Sequence, residues 1–115
     1  MKQLDLSPEA LNDLQQTKAY IITEYGEDFA KKILGNIMDS IGNLLAFPDV
    51  GVSIFARYGI DCDYLFIVSN RNYVFYRKEG EFIRVIRVLN EKQDFMYILF
   101  GIKTTSRETE DYWEK

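Results

Sequence analysis

Apolar positions recur with two different periods along this chain, and the change of period divides it near the middle. Between Leu11 and Leu45 they fall three or four residues apart, whereas after Val52 they gather into short β-branched and aromatic runs. Ahead of both, Leu4 and Leu6 alternate with polar neighbours, so Lys2 to Leu6 should form a short strand. Ser7-Pro8-Glu9 then has the chemistry of a helix start: a hydroxyl for an orphan amide, a proline where a missing N–H does no harm, and a carboxylate at the positive end of the dipole. The first helix runs through Leu11, Leu14, Ala19, Ile22 and Tyr25 to Gly26, with Asp5, Glu9, Asp13 and Lys18 expected on its solvated side. A second helix is predicted from Glu27 to Leu45 on the stripe Ala30, Ile33, Leu34, Ile37, Met38 and Ile41. Gly35 and Gly42 inside it are expected to allow close approach of the first helix, and Pro48 and Gly51 to end it. The two helices should make an antiparallel hairpin.

The second period predicts strands at Ser53 to Tyr58, Tyr64 to Ser69, Tyr73 to Arg77 and Phe82 to Leu89. Ser69-Asn70-Arg71-Asn72 and Lys78-Glu79-Gly80-Glu81 supply turns between the last three, which makes them an antiparallel meander. A short helix should start near Glu91 or Asp94 and end before Gly101. The expected fold class is therefore α+β, with two N-terminal helices packed on a four-stranded antiparallel sheet and a short C-terminal helix. One helix layer covers one sheet face, so the other, apolar and aromatic, should remain for a partner. Residues 1–101 read as a single domain and 102–115 as a polar tail, in which Tyr112 and Trp113 either serve a partner or pack back on the domain.

Composition narrows the chemistry. With 115 residues, 47% of them hydrophobic, the chain can bury one core and is too short for two. The balance of 14 basic to 18 acidic residues, net −4, lacks the diffuse positive field that nucleic acids recruit, so any RNA contact must come from a local patch. There is no histidine, which excludes Ser-His-Asp and Cys-His catalysis and the commonest zinc ligand. The single cysteine, Cys62, cannot pair within the chain and reads as a small, partly buried side chain, and Asp61 and Asp63 beside it read as a solvated loop, so no metal and no cofactor is expected. No signal segment and no apolar run of about 20 residues is visible, so the expected location is the cytoplasm, away from membranes.

The densest cluster of reactive side chains lies in RVIRVLNEKQDFMYILFG, from Arg84 to Gly101. Strict alternation places Arg84, Ile86, Val88 and Asn90 on one face of the strand and Ile83, Val85, Arg87 and Leu89 on the other. Each face then carries an arginine, whose fixed fork of donors suits phosphate or carboxylate. Arg77 and Lys78, beside Tyr73 and Tyr76, could stack and clamp a base, although alternate aromatics in a strand also arise from cross-strand packing. Arg84 and Arg87 could equally be salt-bridge partners of Glu79, Glu81 or Asp94.

LSPEALNDL at a capped helix, YG at the helix corner, LLAFPDVG at the hairpin exit, the YVFYR strand and IRVLNEKQDF, in that order, resemble the RelE/ParE superfamily of type II toxin-antitoxin toxins, from about Leu4 to Gly101. The resemblance implies a toxin that inhibits growth and is neutralised by a cognate antitoxin covering its working face. RelE-like members cut mRNA on the ribosome without metal, and ParE-like members poison DNA gyrase. On the first pattern, Arg87, Asn90, Lys92 and Tyr97 are the implied catalytic candidates, with Arg77, Lys78 and Arg84 binding RNA or another target. Asn90 stands where many relatives have histidine and is no general base near neutral pH; Lys92 offers a point charge where a fork is usual. The clustering at one strand end favours an mRNA endonuclease; the long helices and the Pro48 to Gly51 exit favour a gyrase poison; a degenerate member that only binds its partner is the third reading.

Overall fold

Ser7 joins the first strand to the first helix and also ties both to the far end of the chain. In the computed structural model, which describes residues 2–102, its Oγ accepts from the Ala10 amide at 2.9 Å, as a helix cap should, and donates to the Ile86 carbonyl at 2.6 Å. Strand β1 is Gln3–Leu6 and helix α1 is Pro8–Tyr25. Gly26, at φ 94°, ends α1 and precedes α2, Glu27–Asn43, whose first turn carries Glu27 and Asp28. Tyr112 and Trp113 lie outside the described residues.

The remaining elements are β2 (Val52–Ser53), α3 (Ile54–Tyr58), β3 (Leu65–Ser69), β4 (Asn72–Glu79), β5 (Phe82–Asn90) and α4 (Phe95–Phe100). The sheet has five strands in the order β1-β5-β4-β3-β2. It is mixed, because β1 runs parallel to β5 with Leu6 opposite Val85, while the other pairs are antiparallel. This corrects the expected four antiparallel strands. The segment Ser53 to Tyr58 is also not a strand: after two paired residues Ser53 accepts from the Ala56 amide at 3.1 Å and starts a helical turn.

The hairpin packs Ala10, Leu14, Ile37, Ile41 and Leu44 against Val74, Tyr76, Ile83, Val85 and Val88. The alternation expected for β5 fails at one point, since Phe75 pairs Arg87 while its neighbour Tyr76 pairs Val85. The extra residue, Ile86, is a β-bulge that shifts the phase. Val88 therefore joins Ile83 and Val85 under the helices, and Leu89 passes to a second core with Ile54, Phe66 and Phe75. That second core corrects the expectation of an open sheet face: Phe95, Leu99 and Phe100 of α4, with Tyr64 and Tyr73, already pack there. Nor do Gly35 and Gly42 mark close helix contact, because a Cβ on either would meet nothing within 4 Å. The glycine that is sterically required is Gly51, where a Cβ would stand 2.5 Å from the Tyr76 hydroxyl oxygen. That hydroxyl, on a fully buried ring, donates to the Pro48 carbonyl at 2.8 Å and accepts from the Gly51 amide at 2.9 Å, pinning the exit of the hairpin to β4.

Candidate functional site

Strand β1 stops opposite Val85, so the next backbone groups of β5 face an edge without a partner strand. Side chains of the hairpin complete it. Ser7 takes the Ile86 carbonyl, and Asp13, nearly two turns further into α1, accepts from the Val88 amide at 2.9 Å. The same carboxylate receives Arg87 in a bidentate fork, Nε at 2.7 Å and Nη2 at 2.9 Å. Asp13 is buried, 7% exposed, and the Arg87 guanidinium is held above its ordinary pKa first of all by this hydrogen bond. Arg87 is therefore bound inside the fold. Its partner belongs to the buried side of α1 and not, as expected, to the solvated one: Asp13 lies three residues after Ala10 and beside Leu14, on the stripe that faces the sheet.

The three cations expected to bind RNA or another target are engaged as well. Arg84 meets Asp5 at 2.9 Å and Glu79 at 2.5 Å; Arg77 meets Asp63 at 2.9 Å; Lys78 is bonded to Asp49. Asp5, Arg84 and Arg77 pair in register across three strands, so the two arginines stand opposite each other and are held by the carboxylates of Asp5, Glu79 and Asp63 around them. The bond to Asp49 raises the Lys78 ammonium and lowers the Asp49 carboxyl from their ordinary values.

Asn90 and Lys92 are brought together, Tyr97 is not. Asn90 Oδ1 accepts from the Lys92 amide at 2.9 Å and Gln93 Oε1 accepts from the Asn90 amide at 2.7 Å, so this asparagine shapes the turn after β5. Both residues line a groove of about 750 Å³ between the tip of the helix hairpin and the β3–β4 turn. Tyr25, Phe29, Ile21 and Ile33 form its apolar side. Tyr97 belongs to α4, which packs on the second core, and its ring is exposed and does not line this groove. The four candidates thus fall in three places: the Asp13 clamp, the groove, and the outer side of α4. Among the described residues, none of the helices is long and apolar enough to cross a membrane.

One solved structure agrees with this architecture over most of the chain. A structure described as the chromosomal ParDE toxin-antitoxin system from P. aeruginosa superposes with a TM-score of 0.67 at 16% identity, covering 78% of this chain and 96% of that one. A mutant of YafQ from E. coli gives a TM-score of 0.44 at 14% identity, over 88% and 100% of the two chains. Among curated protein sequences, none matches. The family described as ParE toxin of type II toxin-antitoxin system, parDE, matches residues 4–95, from β1 to the start of α4. With more than half its length inside that match, the chain belongs to the ParE toxin family.

Proposed function

We propose that this protein is the toxin of a type II toxin-antitoxin pair, is neutralised by a cognate antitoxin, and stops growth by binding a protein target of the DNA gyrase kind without cutting RNA itself. The observation that carries the second part is the Asp13 clamp on Arg87. A phosphate clamp must present its donors to the substrate where charge develops. Here the central arginine is spent on a buried carboxylate, Arg77, Lys78 and Arg84 face acidic partners, and Asn90 supplies no base. Sequence clustering alone favoured mRNA cleavage; the separation of Tyr97 from Asn90 and Lys92 weighs the other way.

Induction of the chain in cells, with transcript 5′ ends mapped beside gyrase-linked DNA breaks, tests the reading. Expected are growth arrest relieved by the antitoxin, breaks in DNA, and transcript ends like those of uninduced cells. New 5′ ends within codons, without DNA breaks, would replace this reading with the nuclease one. No arrest at all would leave the chain as a partner-binding member of the family.

A further inference from the structure

The helix hairpin buries one side against the sheet, and its other side is not the wholly polar surface that a solvated pair of helices presents. A second groove, of about 600 Å³, runs between α1 and α2 on that outer side, floored by Ile22, Ala30 and Leu34 and open at Gly35 and Met38. Met38 is 42% exposed, and Leu11 of α1 and Leu45 just beyond α2 are exposed too. Gly35 and Gly42 weaken α2 relative to alanine, yet a Cβ on either would meet nothing within 4 Å, so no packing inside the chain calls for them. Seven residues apart, they share one side of the helix, where a missing side chain lets another backbone approach closely.

The charges identify what lies across the groove. Along α2 the exposed ionic residues run Glu27, Asp28, Lys31, Lys32 and Asp39, and no salt bridge among the described residues engages any of them. The α2 of a second copy, laid parallel, would set each of these charges against itself. Laid antiparallel with the crossing at Gly35, residues equally far before and after that glycine meet. Lys31 then faces Asp39 at both ends of the contact, Lys32 faces Met38, and Glu27 and Asp28 face the uncharged Asn43 and Gly42. A membrane surface would need basic side chains all along this face, whereas a second copy answers both signs. We infer that the outer face of the hairpin is a self-association surface, through which two copies of this chain pair about a two-fold axis at Gly35. With 17 residues α2 is about 25 Å long, and two helices side by side are about 20 Å wide, so each copy offers roughly 500 Å², against the about 800 Å² of a standard interface. The pairing is therefore reversible. It leaves α4 and the second core, on the opposite face of the sheet, open to other partners.

Sedimentation equilibrium of the full-length chain from about 1 to 200 µM tests the pairing, with thermal melting of each variant at about 1 µM, where the monomer prevails. The parent should pass from monomer to dimer across this range. Asp39→Lys should raise the dissociation constant about tenfold, and the charge exchange Lys31→Asp/Asp39→Lys should bring it back to within about threefold of the parent, a rescue that a merely structural role would not produce. Gly35→Leu should raise it about tenfold or more while melting at or above the parent temperature, since leucine is the better helix former. Phe29→Arg, on the groove at the hairpin tip, should leave it within about threefold. A parent that stays monomeric at about 200 µM overturns the inference, as does a dimer indifferent to both Gly35→Leu and Asp39→Lys. A monomeric parent whose affinity for the antitoxin falls with Met38→Arg would give the groove to that partner and overturn it too.

Discussion

Replacing Asp13 by alanine removes the acceptor of three hydrogen bonds at once, two from Arg87 and one from the Val88 amide. Deleting one member of a buried ion pair costs about 3–5 kcal/mol when the remaining charge is shut away from water. The Arg87 side chain keeps 26% of its exposure, so water takes over part of its solvation and the ionic share falls toward the lower end. The Val88 amide adds the cost of an unmet buried donor, about 1 kcal/mol or more. A total of about 4 kcal/mol follows, which for a domain of this size lowers the melting temperature by roughly 16 °C. Urea unfolding of Asp13→Ala, Arg87→Ala and the double variant, followed by circular dichroism at pH 7, measures it. If the pair acts as a unit, the double variant should be about 2 kcal/mol more stable than the sum of the single losses implies. Additivity within about 0.5 kcal/mol would refute the clamp. The apolar pair Asp13→Leu/Arg87→Met should recover most of the stability, as replaced buried ion pairs often do. If that stable, uncharged variant arrests growth as the parent does, Arg87 serves the fold. If it folds but has lost toxicity, the arginine touches the target and the structural assignment fails.

Tyr76→Phe should cost about 2 kcal/mol in urea unfolding, because the Pro48 carbonyl and the Gly51 amide both lose the hydroxyl. Burial pushes that hydroxyl above its ordinary pKa of 10.0, so folding favours the protonated form; its contribution is intact below pH 10 and is lost as the pH rises toward the folded value, and the phenylalanine variant should show a weaker alkaline decline. Gly51→Ala should destabilise by about 2 kcal/mol, since the new methyl meets a phenol ring held in place at both sides, and Gly35→Ala, with nothing within 4 Å, should instead stabilise by about 1 kcal/mol in the same assay. Ile41→Ala, in the fully buried layer between hairpin and sheet, should cost about 2–5 kcal/mol.

Local chemistry made the helices readable: Ser7 and Pro8 set the start of α1, Gly26 the corner, and Ala30, Ile37 and Ile41 of the apolar stripe the buried side of α2, from which Met38 turns out to solvent. The β3 to β5 meander was legible for the same reason, through its turn residues. What escaped depends on contacts between distant residues. A pair of leucines, Leu4 and Leu6, announces a strand but not its neighbour or direction, so the parallel pairing with β5 was invisible. Alternation gives the faces of β5 only until Ile86, because a bulge is set by the partner strand and leaves no period of its own. For the site, sequence clustering located the turn that carries Asn90 and Lys92, whereas the Asp13 clamp needs a helix 74 residues away in the chain.

The union of β1 with β5 also has a consequence for the order of folding. Leu4 meets Ile83 and Ser7 meets Ile86, so the first strand finds its place only after nearly the whole domain has been synthesised. Closing a loop of that length carries a large entropic cost before any contact rewards it, and parallel pairings of this kind form slowly. Until then the hairpin and the meander can each assemble locally, with one flank of β5 bare and its Val88 amide open to solvent. The N-terminal strand is thus a late clasp. During refolding, amide protons of β4 and β5 that bond to each other should gain exchange protection ahead of those of Ser7 and Val88, and a chain truncated before Ser7 should keep helices and meander while remaining prone to edge-to-edge association.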